Sequence, residues 1–182
     1  NRVEALQFVT SFSIGSAGAA LVGQNLGAGH PDRAGRVIRT GLAWNVWISA
    51  ALSLVLLAFP QVFITMFTRD AEVLRLGVPY VRILTLCLVF NGMEIVTAEA
   101  VLGSGHTRAL SWIFSAFSLI RIPLAFLVPD WTGSGVLGIA WVITATCTVR
   151  ALAIVTWAAR GTWKRGLMRE LHGIEPPPGA AG

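Results

Sequence analysis

The residues of this chain with chemistry to offer are ionisable groups stranded in long apolar stretches. Glu94 and Glu99 stand in the run from Leu76 to Leu102, Arg121 in the run from Ala109 to Val128, and Arg150 in the run from Val136 to Ala159. A charge held at membrane depth costs about 3 kcal/mol even on permissive scales, so such groups face a bundle interior or an aqueous cavity and seek partners. A carboxylate kept from water also takes up a proton more readily than one in solution, the condition for reversible proton loading. Asn91 precedes Glu94 by three residues, so the two share a helix face and form one polar patch. Glu99 lies about 140° around the helix from Glu94, which separates the two carboxylates into different sites.

Each of these groups carries two readings. Glu94 is either an ion-loading acid or the partner of a buried arginine. Glu99, nearer the end of its run, is a second coupling candidate or a lipid-exposed, water-exposed or Arg108-paired carboxylate. For Arg121 and Arg150, structural pairing with a glutamate is the favoured role. Pro123 follows Arg121 by two residues and frees a backbone carbonyl, which bends a helix locally. Pro79 marks an entry turn or a mild kink of its run in preference to a gating hinge.

The elements that must position these groups follow from composition. With 182 residues, 54% hydrophobic and only 13% charged, and a mean hydropathy of +0.68, the chain has too few charges to coat a soluble globule. Crossing about 30 Å of hydrocarbon takes about 20 apolar residues in helix. Five runs of that length stand at about 5–26, 42–67, 76–102, 109–128 and 136–159. The expected fold is therefore all-α and integral to the membrane, a polytopic bundle over 1–163 with a polar tail, 164–182, whose Pro176-Pro177-Pro178-Gly179 favours disorder. Asn1 opens the chain without a signal peptide, so it reads as a fragment, with a further helix expected before it.

Arg33, Arg36, Arg39, Arg108, Arg160, Lys164, Arg165 and Arg169 collect on one side, against Arg2, Arg69 and Arg75 on the other, which makes the first side and the C-terminus cytoplasmic. Trp44, Trp47, Trp112, Trp157 and Trp163 fall at the same ends as an aromatic belt, Trp131 lies in the opposite loop, and Trp141 is expected to pack within the bundle. The net charge of +5 sits between apolar runs, a pattern for anionic lipid headgroups and not for nucleic acid. Cys87 and Cys147 are far apart in sequence, with no CxxC and no histidine at ligand spacing, so neither a disulfide framework nor a metal site is expected. His30, His106 and His172 all fall in cytoplasmic segments and no HExxH or Gly-x-Ser-x-Gly is present, which argues against a membrane-embedded enzyme. A passive scaffold protein is disfavoured by the buried charges.

The first run is dense in small residues, among them Gly15, Gly18 and Gly23, which let helix backbones approach closely. At its exit, Gly23-Gln24-Asn25-Leu26-Gly27-Ala28-Gly29 lacks the Lys-Ser/Thr and the preceding strand of a phosphate loop, and its amides and glycines suit a tight turn. With Leu21-Val22 before it and Asp32-Arg33-Ala34 after it, this segment resembles a signature of the multidrug and toxic compound extrusion (MATE) family. Met66-Phe67-Thr68-Arg69-Asp70-Ala71-Glu72-Val73, Leu102-Gly103-Ser104-Gly105-His106-Thr107 and Arg121-Ile122-Pro123-Leu124-Ala125 are similar to further family motifs, in order.

The resemblance implies five helices, the eighth to twelfth of a twelve-helix fold, belonging to a six-helix C-terminal lobe whose N-terminal partner lobe is absent. It implies a secondary antiporter of the bacterial inner membrane. Such a protein exports organic, often cationic, compounds in exchange for H+ or Na+, with no other cofactor and with membrane lipids as surroundings. The family's C-lobe acid falls at Asn91, which cannot titrate, and this leaves Glu94 as its substitute. Gln24 and Asn25 enter as pairing candidates at the helix exit. A lipid or lipid-linked oligosaccharide flippase of the same superfamily is the alternative.

Overall fold

The computed structural model describes residues 2–65, 70–133 and 135–165. The helices are α1 (Arg2–Gly27), α2 (Pro31–Ala58), α3 (Pro60–Thr65), α4 (Ala71–Leu102), α5 (Thr107–Thr132) and α6 (Gly135–Ala159), followed by a 3-10 turn at Thr162–Arg165. Five of them, all but α3, are long and apolar enough to cross a membrane. The architecture is an all-α, multi-pass membrane bundle. Residues 66–69, the first half of one motif, and 166–182, the tail expected to be disordered, lie outside the described residues.

Local chemistry sets the helix ends. The Asp70 carboxylate accepts from the Glu72 N–H at 2.8 Å and starts α4. Pro31 stands at the first turn of α2, where its missing N–H costs nothing, with Asp32 beside it favouring the positive end of the helix dipole. Gly29, Gly105 and Gly133 adopt left-handed φ of 77°, 84° and 63° and turn the chain between helices. The second apolar run is not one helix from Leu42 to Phe67. It begins eleven residues earlier at Pro31, so Arg33, Arg36 and Arg39 ride on a helix and not in a loop, and it stops at Ala58. The stop is local: Pro60 disfavours helical conformation at Phe59, whose φ and ψ are −127° and 47°. Pro79, Pro123 and Pro129 interrupt no helix; α4 and α5 run through them.

The central helix is α4, packed on α1, α2 and α6, while α5 packs chiefly on α6. Helices α1 and α4 run parallel at a constant offset: Gln7 meets the Leu88 carbonyl, Gly15 lies over Val96 and Glu99, and Gly23 over the Gly103 carbonyl. Close approach is what the glycines permit here. A Cβ on Gly103 would collide with the Ala19 backbone, and one on Gly23 would stand 3.1 Å from the Gly103 oxygen. Two of the family-like motifs thus meet each other as a packing joint. The apolar core, with Val22, Ile38, Val101, Leu110 and Ile154, gathers at the end holding the α1–α2 and α4–α5 turns.

Trp163, expected in the aromatic belt, is buried in that core and donates to the Ala158 carbonyl at 2.7 Å. Trp141, expected to pack inside, is 53% exposed, between the buried Ala140 and Val142. Trp44, Trp47, Trp112 and Trp131 stand outward as large exposed surfaces.

Candidate functional site

Away from the apolar core, the buried residues of α4 and α6 turn polar. Glu94 projects from α4 with its side chain 4% exposed, and its Oε1 lies 2.9 Å from Nε of Arg150 on α6, itself 14% exposed. The Nε–H does not point along that line, so the contact is a close ion pair and not an aligned hydrogen bond. The second oxygen, Oε2, is buried and meets no hydrogen-bond partner among the described residues. The Arg150 guanidinium carbon also sits 5.1 Å from the centre of the Phe114 ring on α5, a cation–π contact that holds the charge from a third helix.

Arg121 reaches from α5 to α6, where its Nε donates to Thr146 Oγ1 at 3.0 Å and its Nη2 donates to Cys147 Sγ at 2.9 Å. Of the two arginines, only Arg150 pairs with a glutamate; Arg121 has no carboxylate partner among the described residues. The cluster between α4, α5 and α6 therefore holds two guanidinium groups against one carboxylate. Removing one member of a buried pair costs about 3–5 kcal/mol, because the other charge is left stranded.

The other expected site residues fall elsewhere. Glu99 turns toward α1, where its Cβ would be 2.7 Å from a Cβ on Gly15, and it makes no ion pair with Arg108 among the described residues. Asn91 is half-buried beside Glu94, and its side chain forms no hydrogen bond to the described residues. Gln24 is exposed at the end of α1, and Asn25 donates to its own helix at the Leu21 carbonyl, 2.7 Å away. Pro123 sits one half-turn past Arg121 within an unbroken α5.

A second polar knot was not foreseen. Ser11 of α1 donates to Asn45 Oδ1 of α2 at 2.7 Å, and Gln7 donates to Ser49 Oγ at 3.3 Å and to the Leu88 carbonyl of α4. Asn45 is 0% exposed, and its Nδ2 has no hydrogen-bond partner among the described residues. The space the knot occupies exists because residue 92 is glycine: a Cβ there would strike the Asn45 and Gln7 amides and come within 2.9 Å of Ser49 Oγ. Lone Gln and Asn residues in apolar runs were the available signal; their convergence on one glycine needed three helices in place.

Similarity to known proteins bears on this arrangement. The chain is 27% identical over 165 residues to a Thermotoga maritima protein named probable multidrug resistance protein NorM, a match covering 90% of this chain and 35% of that protein. It is 24% identical over 168 residues to the Bacillus subtilis probable multidrug resistance protein YoeA, covering 91% of this chain and 36% of the relative. Protein DETOXIFICATION 29 of Arabidopsis thaliana is 27% identical over 137 residues, 75% of this chain and 27% of its own length. The chain thus spans about a third of the curated relatives it matches. The MatE family model matches residues 1–127, well over half of the sequence, and the chain belongs to that family.

Proposed function

We propose that this chain is a lobe of a secondary antiporter that exports organic, drug-like compounds in exchange for an ion, with Glu94 as the group that loads the ion. The supporting observation is the half-satisfied carboxylate: Oε1 rests against Arg150 while the buried Oε2 has no hydrogen-bond partner among the described residues. A proton added at Oε2 neutralises Glu94 and removes the attraction that holds Arg150 across the α4–α6 interface. That interface can then shift, and loss of the proton restores the pair. Of H+ and Na+, the proton suits this geometry better, since a sodium ion needs several oxygen ligands and the guanidinium of Arg150, 2.9 Å from the carboxylate, repels a bound cation. The names of the relatives support the substrate class. The bacterial inner membrane, a cytoplasmic C-terminus, surrounding lipids and a partner lobe complete the reading.

One observation favours a second reading, a lipid or lipid-linked oligosaccharide flippase: Arg121 adds a positive charge that no described carboxylate balances. Such a charge suits a phosphate-bearing cargo better than a cationic drug.

Gradient-driven efflux from proteoliposomes holding the full-length protein tests the first reading. Glu94→Gln keeps size and most hydrogen bonding but cannot titrate at this position. Efflux driven by an imposed proton gradient is expected to fall at least tenfold in rate while the protein still folds, a rise of about 1.4 kcal/mol in the barrier. Undiminished efflux would remove Glu94 from the mechanism.

A further inference from the structure

Cys87 and Cys147 take no part in the proposed coupling, yet the fold brings them together. Helices α4 and α6 run parallel, and Thr144 Oγ1 donates to the Ile83 carbonyl at 3.1 Å, an offset of 61 residues. Carried about one turn along both helices, that register sets Cys147 level with Cys87, so the two thiols are neighbours across the α4–α6 interface. Both are buried and neither is in a disulfide. Two cysteines serving only as small apolar fillers need no charged neighbour. Here Arg121 crosses from a third helix to place Nη2 2.9 Å from Cys147 Sγ, while the Cys87 thiol donates to the Leu84 carbonyl at 3.1 Å.

We propose that Cys87 and Cys147 form a peroxide-reactive dithiol, a modification site at which hydrogen peroxide ties α4 to α6 through a disulfide. A guanidinium against a sulfur is one of the surroundings that favours the nucleophilic thiolate, which makes Cys147 the attacking group. The same positive charge repels a metal cation and so disfavours a soft-metal site. The Cys147 sulfur attacks one peroxide oxygen, the O–O bond breaks, and the departing hydroxide takes the thiol proton as water, leaving a sulfenic acid. The Cys87 sulfur then attacks the Cys147 sulfur; the S–O bond breaks, and hydroxide leaves with the Cys87 proton as a second water. The two thiols lose two electrons, which reduce the peroxide to two waters. This chemistry does not depend on the antiport reading.

The experiment uses the full-length protein in lipid nanodiscs, exposed to hydrogen peroxide, quenched by alkylation, digested with trypsin and weighed. Residues 83–108 and 122–150 form two tryptic fragments, each holding one of the cysteines. The expected product is these fragments joined, lighter by two hydrogens than their sum and separated again by dithiothreitol. In Cys87→Ser, Cys147 should accumulate sulfenic acid trapped by dimedone. In Cys147→Ser, Cys87 should stay reduced under the same exposure. Arg121→Gln should slow the cross-link several-fold, with Arg121→Lys recovering part of the rate; should both Arg121 variants misfold, the cysteine variants alone decide. Absence of the joined fragments, or equal oxidation of the two cysteines in their single variants, would overturn the proposal. Retention of Hg(II) by a pair inert to peroxide would likewise overturn it, marking a metal site instead.

Discussion

The Glu94–Arg150 pair is expensive to keep and more expensive to break. Arg150→Ala strands the Glu94 carboxylate among apolar and thiol neighbours, and the expected loss is about 3–5 kcal/mol of stability. The double variant Glu94→Gln, Arg150→Met removes both members of the pair, leaves only the half-buried Arg121 charge in the cluster, and should recover most of that loss without recovering ion-coupled efflux. Thermal unfolding in detergent, run as a double-mutant cycle, separates the two outcomes; equal destabilisation by the single and double variants would contradict the pairing. Gly92 makes a different demand. Gly92→Ala puts a methyl group into the amides of Gln7 and Asn45, and the overpacking should cost about 1–3 kcal/mol in the same assay.

Helix α1 holds its register on α4 through backbone proximity. At Gly103 the obstacle to a side chain is the Ala19 backbone, which cannot swing aside as a side chain can. Gly103→Ala should therefore push α1 and α4 apart and lower the melting temperature. Gly27→Ala, with nothing near its Cβ position, should be almost silent. Equal effects of the two would show that the α1–α4 joint does not rest on close approach. The break between α2 and α3 is equally local. Pro60→Ala supplies the missing N–H and lifts the restriction on Phe59, so amide exchange should slow across 59–61 as the helix runs on.

For the chain as a unit, its extent and its surface point the same way. Large apolar side chains stand outward on α1 and α5, including Phe8, Phe12, Leu119 and Phe126, and past Leu110 no described position of α5 is buried. Such faces meet lipid or the remainder of a longer protein. Expressed alone, the chain should confer no resistance to cationic dyes, because alternating access needs a second lobe for the first to move against. Resistance equal to that of a full-length parent would contradict the proposal. Labelling of single cysteines introduced at the α5–α6 turn, at Trp131 and Gly133, should come only from the side opposite the C-terminus.

Much of this was legible in the chain. Length and spacing of the apolar runs sufficed for the all-α membrane bundle, since each span must satisfy its own backbone in hydrocarbon and only helices do so locally. Glu94 and Arg150 announced themselves because a charge in an apolar run has nowhere cheap to go. The same reasoning had Leu42 as the start of the second helix, since hydropathy registers where lipid begins and not where hydrogen bonding begins; the helix had already started at Pro31. What no reading along the chain supplies is adjacency between helices. That Glu94 meets Arg150 and not Arg121, that Glu99 faces Gly15, that Gln7, Asn45 and Ser49 converge on Gly92, and that Cys87 lies level with Cys147 all follow from which helix packs on which and at what offset. Those offsets are set by contacts between residues more than thirty positions apart, and a local pattern carries no record of them.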